Sequence, residues 1–248
     1  MPCAPSWPRL NPVGAFMLSK LTGFFHGHLP QLIAFDLDGT LVDSVPDIAV
    51  ATDRMLLALG RSAAGEEKVR AWVGNGATML VKRALADSYE PAAVAAITDA
   101  EYEPAMACFR EYYAEENGRL TQLYTGVSEV LQAISQLGVP LAVITNKPKV
   151  FADPLLESLD IAGYFTLVLG GECLPHKKPH PMPLEEVGRR LGAAAPLSLM
   201  VGDSRNDVEA AKAAGWVSAA LTYGYNHGEP VANSEPDWLL DDFRELIL

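Results

Sequence analysis

Cysteine is scarce in this 248-residue chain. Cys3, Cys108 and Cys173 are odd in number, far apart and without a CxxC pair, which argues against a disulfide framework or a zinc knuckle and fits a reducing compartment. Basic charge is equally thin. Nineteen Lys and Arg face 31 Asp and Glu, giving a formal net charge of −12 with no Lys/Arg-rich run to relieve it. Counterion release would therefore work against nucleic-acid binding, and no nucleic acid is expected as a partner. Long apolar runs are missing too: Gly, His, Pro or charged residues interrupt every candidate before the roughly 18 residues a membrane span needs, so no membrane is expected. Residues 1–30 carry only Arg9 and Lys20 as charges and are broken by Pro2, Pro5, Pro8 and Pro12, leaving no continuous apolar core for a secretory signal. This stretch reads as a poorly ordered leader, either an extension or a product of start-site choice, since Met17 would also serve as an initiator. A cytoplasmic protein is expected.

What is present is a core-forming chain with 49% apolar residues. LIAFD (residues 32–36), VPLAVIT ending at Thr145, FTLVLG ending at Gly170, LSLMVGD ending at Asp203 and VSAALT ending at Thr222 are continuous apolar runs without strict alternation, the pattern of strands covered on both faces. Helical stretches separate them: VSEVLQAISQLG, PKVFADPLLESLD, MPLEEVGRRLG and NDVEAAKAAG, with Gly138, Gly192 and Gly215 where helix ends are expected. The tail DWLLDDFRELIL reads as a strand end and a short closing helix. Alternation of this kind gives right-handed crossovers, so the fold class is α/β, a doubly wound parallel sheet that collects ligands at its carboxyl edge. Residues 47–123 break the rule. Their apolar residues recur at helical spacing and no strand run is visible, which predicts an all-helical cap inserted after the first strand. The α/β core is then residues 31–46 and 124–248.

The densest polar cluster is FDLDGTLVD, where Asp36 and Asp38 close the first strand and Gly39-Thr40 turn the chain. Taken alone it is either a turn pair or a site. Three further strand ends and loops carry polar groups at the same edge: Thr145-Asn146, HKKPHP with Lys178, and GDSRND with Asp203 and Asp207. In order and spacing, FDLDGT, ITNK, KKPHP and VGDSRND resemble the four motifs of the haloacid dehalogenase superfamily. Within it the chain is similar to the bacterial phosphoglycolate phosphatases, through VDSVPD, WVGNGA and KPHP as well. The similarity runs from about Leu32 to the C-terminus.

The resemblance implies a phosphate monoester hydrolase, converting 2-phosphoglycolate to glycolate and phosphate through an aspartyl-phosphate. Asp36 would be the nucleophile and Asp38 the proton shuttle. Thr145 and Asn146 would hold phosphoryl oxygens, and Lys178 would balance their charge. Mg²⁺ would be held by Asp36, the main-chain carbonyl of Asp38 and Asp203, with Asp207 positioning Lys178 or a metal-bound water. A cation is needed because a phosphate dianion about 4 Å from a carboxylate is repelled by roughly 8 kcal/mol at an effective dielectric near 20.

Several residues admit two readings. Gly74-Asn75-Gly76 either presents amides, with Asn75 and Gly76 binding a substrate carboxylate, or is an ordinary interhelix turn. Arg83 either reaches the same carboxylate or lies on the surface. Lys177 reads as a solvated charge, and His180 as stabilising its loop rather than joining His176 on a metal. Ser44 or Asp47 would cap the helix that follows. Among functions, a capped sugar-phosphate phosphatase or phosphomutase shares the same core, and a phospho-accepting signalling module shares its acidic site without the cap. The expected partner is a small phosphorylated metabolite, and the expected state is a monomer or homodimer.

Overall fold

The computed structural model describes residues 19–226 and 228–248. In chain order its strands are β1 (Leu32–Phe35), β2 (Val42–Asp43), β3 (Gln122–Leu123), β4 (Leu141–Ile144), β5 (Leu167–Leu169), β6 (Ser198–Gly202), β7 (Val217–Leu221) and β8 (Trp238–Leu240). Six of them form one parallel sheet in the order β5-β4-β1-β6-β7-β8. The chain winds outward from β1 through β4 to β5, returns to β6 on the other side of β1, and winds outward again. That reversal beside β1 is the switch point where such sheets open a crevice at their carboxyl ends. The five apolar runs each close one residue earlier than their patterns suggest, because Asp36, Thr145, Gly170, Asp203 and Thr222 already belong to the loops.

Side-chain alternation explains the continuous apolarity. Ile33 and Phe35 point into one layer with Leu141, Val143, Leu199 and Val201, whereas Leu32 and Ala34 point into the other with Ala142, Ile144 and Met200. Helices α1 (Ser19–Phe24), α7 (Val127–Ser135) and α8 (Lys149–Ser158) cover or flank the first layer, and α9 (Met182–Leu191) and α10 (Arg205–Ala214) the second. Gly192 and Gly215 end α9 and α10 in the left-handed conformation, as their positions predict.

One expectation is corrected here. Order begins before Leu32: Leu21, Phe25 and Leu29 are buried in the main core, and Phe24 stacks on Trp238 with ring centroids 5.2 Å apart. A six-residue helix is too short to declare itself by periodicity, and its neighbouring Gly and His residues look like loop. Residues 1–18 of the expected leader lie outside the described residues.

Between β2 and β3 the chain is helical: α2 (Val45–Ala58), α3 (Glu66–Trp72), α4 (Ala77–Ala86), α5 (Pro91–Ala95) and α6 (Asp99–Glu116). Val45, Met55, Val69, Trp72, Val81 and Phe109 form a separate apolar cluster, into which Phe151 and Tyr225 reach from outside the segment. The two chain crossings into this layer pair as an antiparallel ribbon, Val42 with Leu123 and Asp43 with Gln122. A two-residue strand carries no readable period, so Gln122 and Leu123 escape detection within a stretch that otherwise reads as helix.

Asp47 joins the same two crossings. Its carboxylate, fully buried, accepts hydrogen bonds from the main-chain N–H groups of Gly118 (2.9 Å), Leu120 (2.7 Å) and Thr121 (3.0 Å) and from the Thr121 hydroxyl (2.5 Å). Neither candidate side chain caps α2: Asp47 faces the returning chain, and Ser44, although at the N-cap position, donates to Asp38 instead. No helix among the described residues is long and apolar enough to cross a membrane.

Candidate active site

The carboxyl ends of β1, β4 and β6 deliver Asp36, Thr145 and Asp203 to one place, and the loop before α9 brings Lys178 across them. Carboxylate oxygens of Asp36, Asp203 and Asp207 lie within 4.8 Å of one another. Lys178 Nζ donates to Asp207 Oδ1 (2.6 Å) and sits 3.0 Å from Asp36 Oδ1. Burial by itself would lower the Lys178 pKa, but Asp207 and Asp36 raise it above its ordinary value.

Local structure fixes each acid differently. Asp36 Oδ1 accepts the Leu37 N–H (2.7 Å) as well as Lys178, while its Oδ2 has no donor among the described residues. Asp38 shows the same division: the Ser44 hydroxyl (2.6 Å) and Lys147 Nζ (2.9 Å) both converge on Oδ1. Asp203 accepts from the Thr40 hydroxyl (2.7 Å) and the Tyr225 N–H (2.6 Å). Gly39, at φ 91°, faces it so closely that a Cβ would lie 2.3 Å from Asp203 Oδ2, so only glycine leaves this carboxylate its place. Asp207 is saturated. Its Oδ2 takes the N–H groups of Asp203 and Ser204 and the Ser204 hydroxyl at the start of α10, and its Oδ1 takes Lys178.

Three carboxylates cluster here, and one ammonium pairs with two of them. Burial, opposed by Lys178 and reinforced by Asp207, pushes Asp36 up to about 7; burial with Asp207 and Asp36 pushes Asp203 well above the ordinary carboxylate range. An all-oxygen donor set with surplus negative charge fits a hard divalent cation such as Mg²⁺.

A cavity of about 50 Å³ opens in front of Asp36 and Asp38, lined by Thr145, Asn146, Lys147, Tyr113 and the start of α4 at Gly76 and Ala77. At roughly 10–15 Å³ per water on this measure, it takes a few-atom ligand. Thr145 Oγ1 accepts the Lys147 N–H (3.1 Å), and Asn146 Nδ2 donates to Gly74 O (3.2 Å) and Lys178 O (3.0 Å). Asn146 Oδ1 is buried without a partner.

Residues from the helical segment behave differently from their sequence readings. Gly76, at φ 82°, lines the cavity and lies so near the core that a Cβ would stand 3.0 Å from both Asn146 O and Lys177 Nζ. Asn75 does not line it. Its Oδ1 accepts from Arg83, its Nδ2 faces Asn206 Oδ1 at 3.5 Å, and its main-chain oxygen accepts from Lys177 Nζ at 2.6 Å. Arg83 is held by Trp72 O and Asn75, away from the cavity, and Lys177 is half-buried rather than solvated. Asn206 Nδ2 adds a bond to Gly74 O (3.2 Å), so the 74–76 turn latches the helical layer to the sheet edge. His176 and His180 stack on each other at 4.3 Å, and His180 Nδ1 accepts the Met182 N–H, the loop-stabilising bond expected of it.

The sequence reading missed Lys147 and Tyr113. Lys147 is 5% exposed, donates to Asp38 Oδ1 and to Tyr113 Oη, and lies 4.8 Å from the Tyr113 ring centroid. Burial alone would lower its pKa, yet Asp38 and Tyr113 push it up; burial raises the Tyr113 phenol to about 12. The signal was in view, since Lys147 is the last letter of ITNK, but nothing in the sequence links it to a tyrosine 34 positions earlier.

A doubly wound sheet of this strand order, with paired aspartates at β1 and a lysine-bridged acidic cluster opposite, is the arrangement of an α/β protein whose carboxylates can bind a metal ion and serve as acid, base or nucleophile. The family model for haloacid dehalogenase-like hydrolases matches residues 33–221, from β1 to β7, and the chain belongs to that family. Among its relatives, the phosphoglycolate phosphatase of Pseudomonas syringae pv. syringae (strain B728a) is 51% identical over 230 residues, which cover 93% of this chain and 83% of the relative. That of Salmonella choleraesuis (strain SC-B67) is 48% identical over 227 residues, covering 87% and 90%. A crystal structure from Haemophilus somnus 129pt, named a predicted phosphoglycolate phosphatase, superposes with a TM-score of 0.81 at 41% identity, covering 87% of this chain and 96% of that one.

Proposed function

We propose that the chain is a Mg²⁺-dependent phosphatase that hydrolyses 2-phosphoglycolate to glycolate and phosphate in the cytoplasm, with helices α2–α6 as a cap over residues 31–46 and 124–248. The observation that carries the chemistry is the matched pair of half-anchored aspartates: Asp36 and Asp38 each fix one oxygen and present the other.

Asp36, Asp203 and the main-chain carbonyl of Asp38 would hold the metal ion, and Asp207, with both oxygens occupied, positions Lys178. When bound, Mg²⁺ supplies the positive charge that lets a carboxylate and a phosphate dianion approach each other. Asp36 Oδ2 attacks phosphorus, forming the aspartyl-phosphate as the ester P–O bond breaks. Asp38 gives a proton from Oδ2 to the departing glycolate oxygen. Asp38 then takes a proton from the water that attacks the phosphoryl group, which releases phosphate and restores Asp36. Lys178, the Thr145 hydroxyl and the Asn146 main-chain N–H hold the phosphoryl oxygens throughout. The small cavity under the latched cap suits a small leaving group, which favours phosphoglycolate over sugar phosphates.

Phosphate release from a panel of monoesters tests this, with Mg²⁺ or with a chelator. Phosphoglycolate is expected to be turned over best, only with the metal, and not at all by Asp36→Asn. Equal turnover of glucose 6-phosphate would refute the substrate, and an active Asp36→Asn would refute the mechanism.

A further inference from the structure

Two buried lysines flank the paired aspartates, and only one is explained by phosphoryl transfer. Lys178 is paired with Asp36 and Asp207, where it serves the phosphoryl group. Lys147 stands at the Asp38 end, and its ammonium has three N–H bonds but only two acceptors among the described residues, Asp38 Oδ1 and Tyr113 Oη. Tyr113 accepts from Lys147, and its own O–H proton has no acceptor among the described residues. Both side chains are at least 95% buried and both line the cavity, whose other walls include Ile48, Leu80 and Phe109. Two donors left over in an apolar pocket are a costly arrangement unless a ligand completes them. The same cavity meets the N-terminus of the ten-residue helix α4 at Gly76-Ala77, where no side chain caps the helix and its field favours an anion.

We infer that Lys147 and Tyr113 together form the recognition site for a second anionic group on the substrate, a carboxylate one carbon removed from the phosphate ester oxygen. A carboxylate offers two acceptor oxygens to the two unmatched donors and brings the negative charge that the ammonium end of the cavity can accommodate beside Asp38. A hydroxymethyl group in its place offers one neutral oxygen instead of two charged ones. The cap thus selects the substrate through Tyr113 on α6, and the sheet through Lys147 after β4. This inference rests on the proposed phosphoglycolate reading and names the residues that would make it specific.

The test compares 2-phosphoglycolate with 2-hydroxyethyl phosphate, which keeps the ester and replaces the carboxylate by an alcohol. The readout is the ratio of their kcat/KM values, because a general disturbance of Asp38 lowers both substrates alike. Lys147→Met is expected to lower the ratio by about 10- to 100-fold, the factor expected of a charge-assisted hydrogen bond. Tyr113→Phe, which keeps the ring and its packing, is expected to lower it by about 5- to 10-fold and serves if Lys147→Met does not fold. A parent enzyme that prefers phosphoglycolate and variants that keep the parent ratio would overturn this inference alone. A parent that hydrolyses both esters equally would overturn it together with the choice of substrate. A parent inactive on every monoester would overturn the reaction as well.

Discussion

Asp47 offers the strongest test of how the helical layer is held. Its carboxylate, itself fully buried, takes three main-chain N–H groups and one hydroxyl from Gly118, Leu120 and Thr121. Asp47→Asn keeps the shape but turns one oxygen into a donor. One of the four bonds becomes a donor facing a donor, at about 1–3 kcal/mol, and each of the others loses the difference between a charged and a neutral acceptor, about 1 kcal/mol. Allowing for relaxation of the linker, the expected loss is about 3 kcal/mol, or roughly 6–12 °C for a chain of this size. Thr121→Val removes only the hydroxyl and is expected to cost about 1 kcal/mol. Urea unfolding with the metal chelated measures both. In the double variant the two effects should fall short of additivity, because Asp47→Asn has already weakened the bond that Thr121→Val deletes. A loss below about 1 kcal/mol for Asp47→Asn would show that the returning chain is held by the β2–β3 ribbon alone.

Two further outcomes follow from the site. Asp36 and Asp203 hold their protons more tightly folded than unfolded, so in metal-free protein their contribution to stability is full below the ordinary 3.8; that of Asp36 is lost as pH rises through about 7, and Asp203 shifts in the same direction. Mg²⁺ should therefore raise the melting temperature more at pH 8 than at pH 5.5, and Asp203→Asn should abolish that gain while leaving metal-free protein at least as stable; a pH-independent gain would contradict a metal held by these carboxylates. Gly76→Ala meets Asn146 O and Lys177 Nζ at 3.0 Å and a φ of 82°, a strain of about 1–2 kcal/mol that opens the latch. Its KM should rise severalfold with little change in aspartyl-phosphate chemistry, which single-turnover measurements would show.

The sheet was legible because each strand is buried on both faces and each ends in a polar residue with nowhere else to go: Asp36, Thr145 and Asp203 announce the carboxyl edge by interrupting apolar runs. Lys178 could be read because it belongs to a compact motif. Thr40, which holds Asp203 from 163 positions away, could not be paired with it by spacing, and the same is true of Lys147 and Tyr113. Asp47 shows a different failure. Its position at the start of α2 is what a capping residue would have, but the competition is decided by the returning chain, which brings three N–H groups that outbid one turn of helix. Asn75 is expected from the sequence either to bind the substrate or to turn the chain, and the direction of its side chain is set by Arg83 and Asn206, which no spacing reveals.

Asp38 is where the two parts of the molecule meet. The carboxylate stands on the sheet edge, yet its Oδ1 is held by Ser44 at the start of α2 and by Lys147, whose ammonium also binds Tyr113 of α6. An acid that must both release and recover a proton needs one oxygen fixed and the other exposed to the reacting atoms. Here the fixing groups include one that bonds directly to the helical layer. Displacing α6 would withdraw Tyr113 from Lys147 and change the hold on Asp38 without moving β1. On the proposed mechanism, proton transfer at Asp38 would then be coupled to the position of α6 through a single buried ammonium, and a ligand that completes the Lys147–Tyr113 pair would favour the arrangement in which Asp38 Oδ2 faces the reacting atoms.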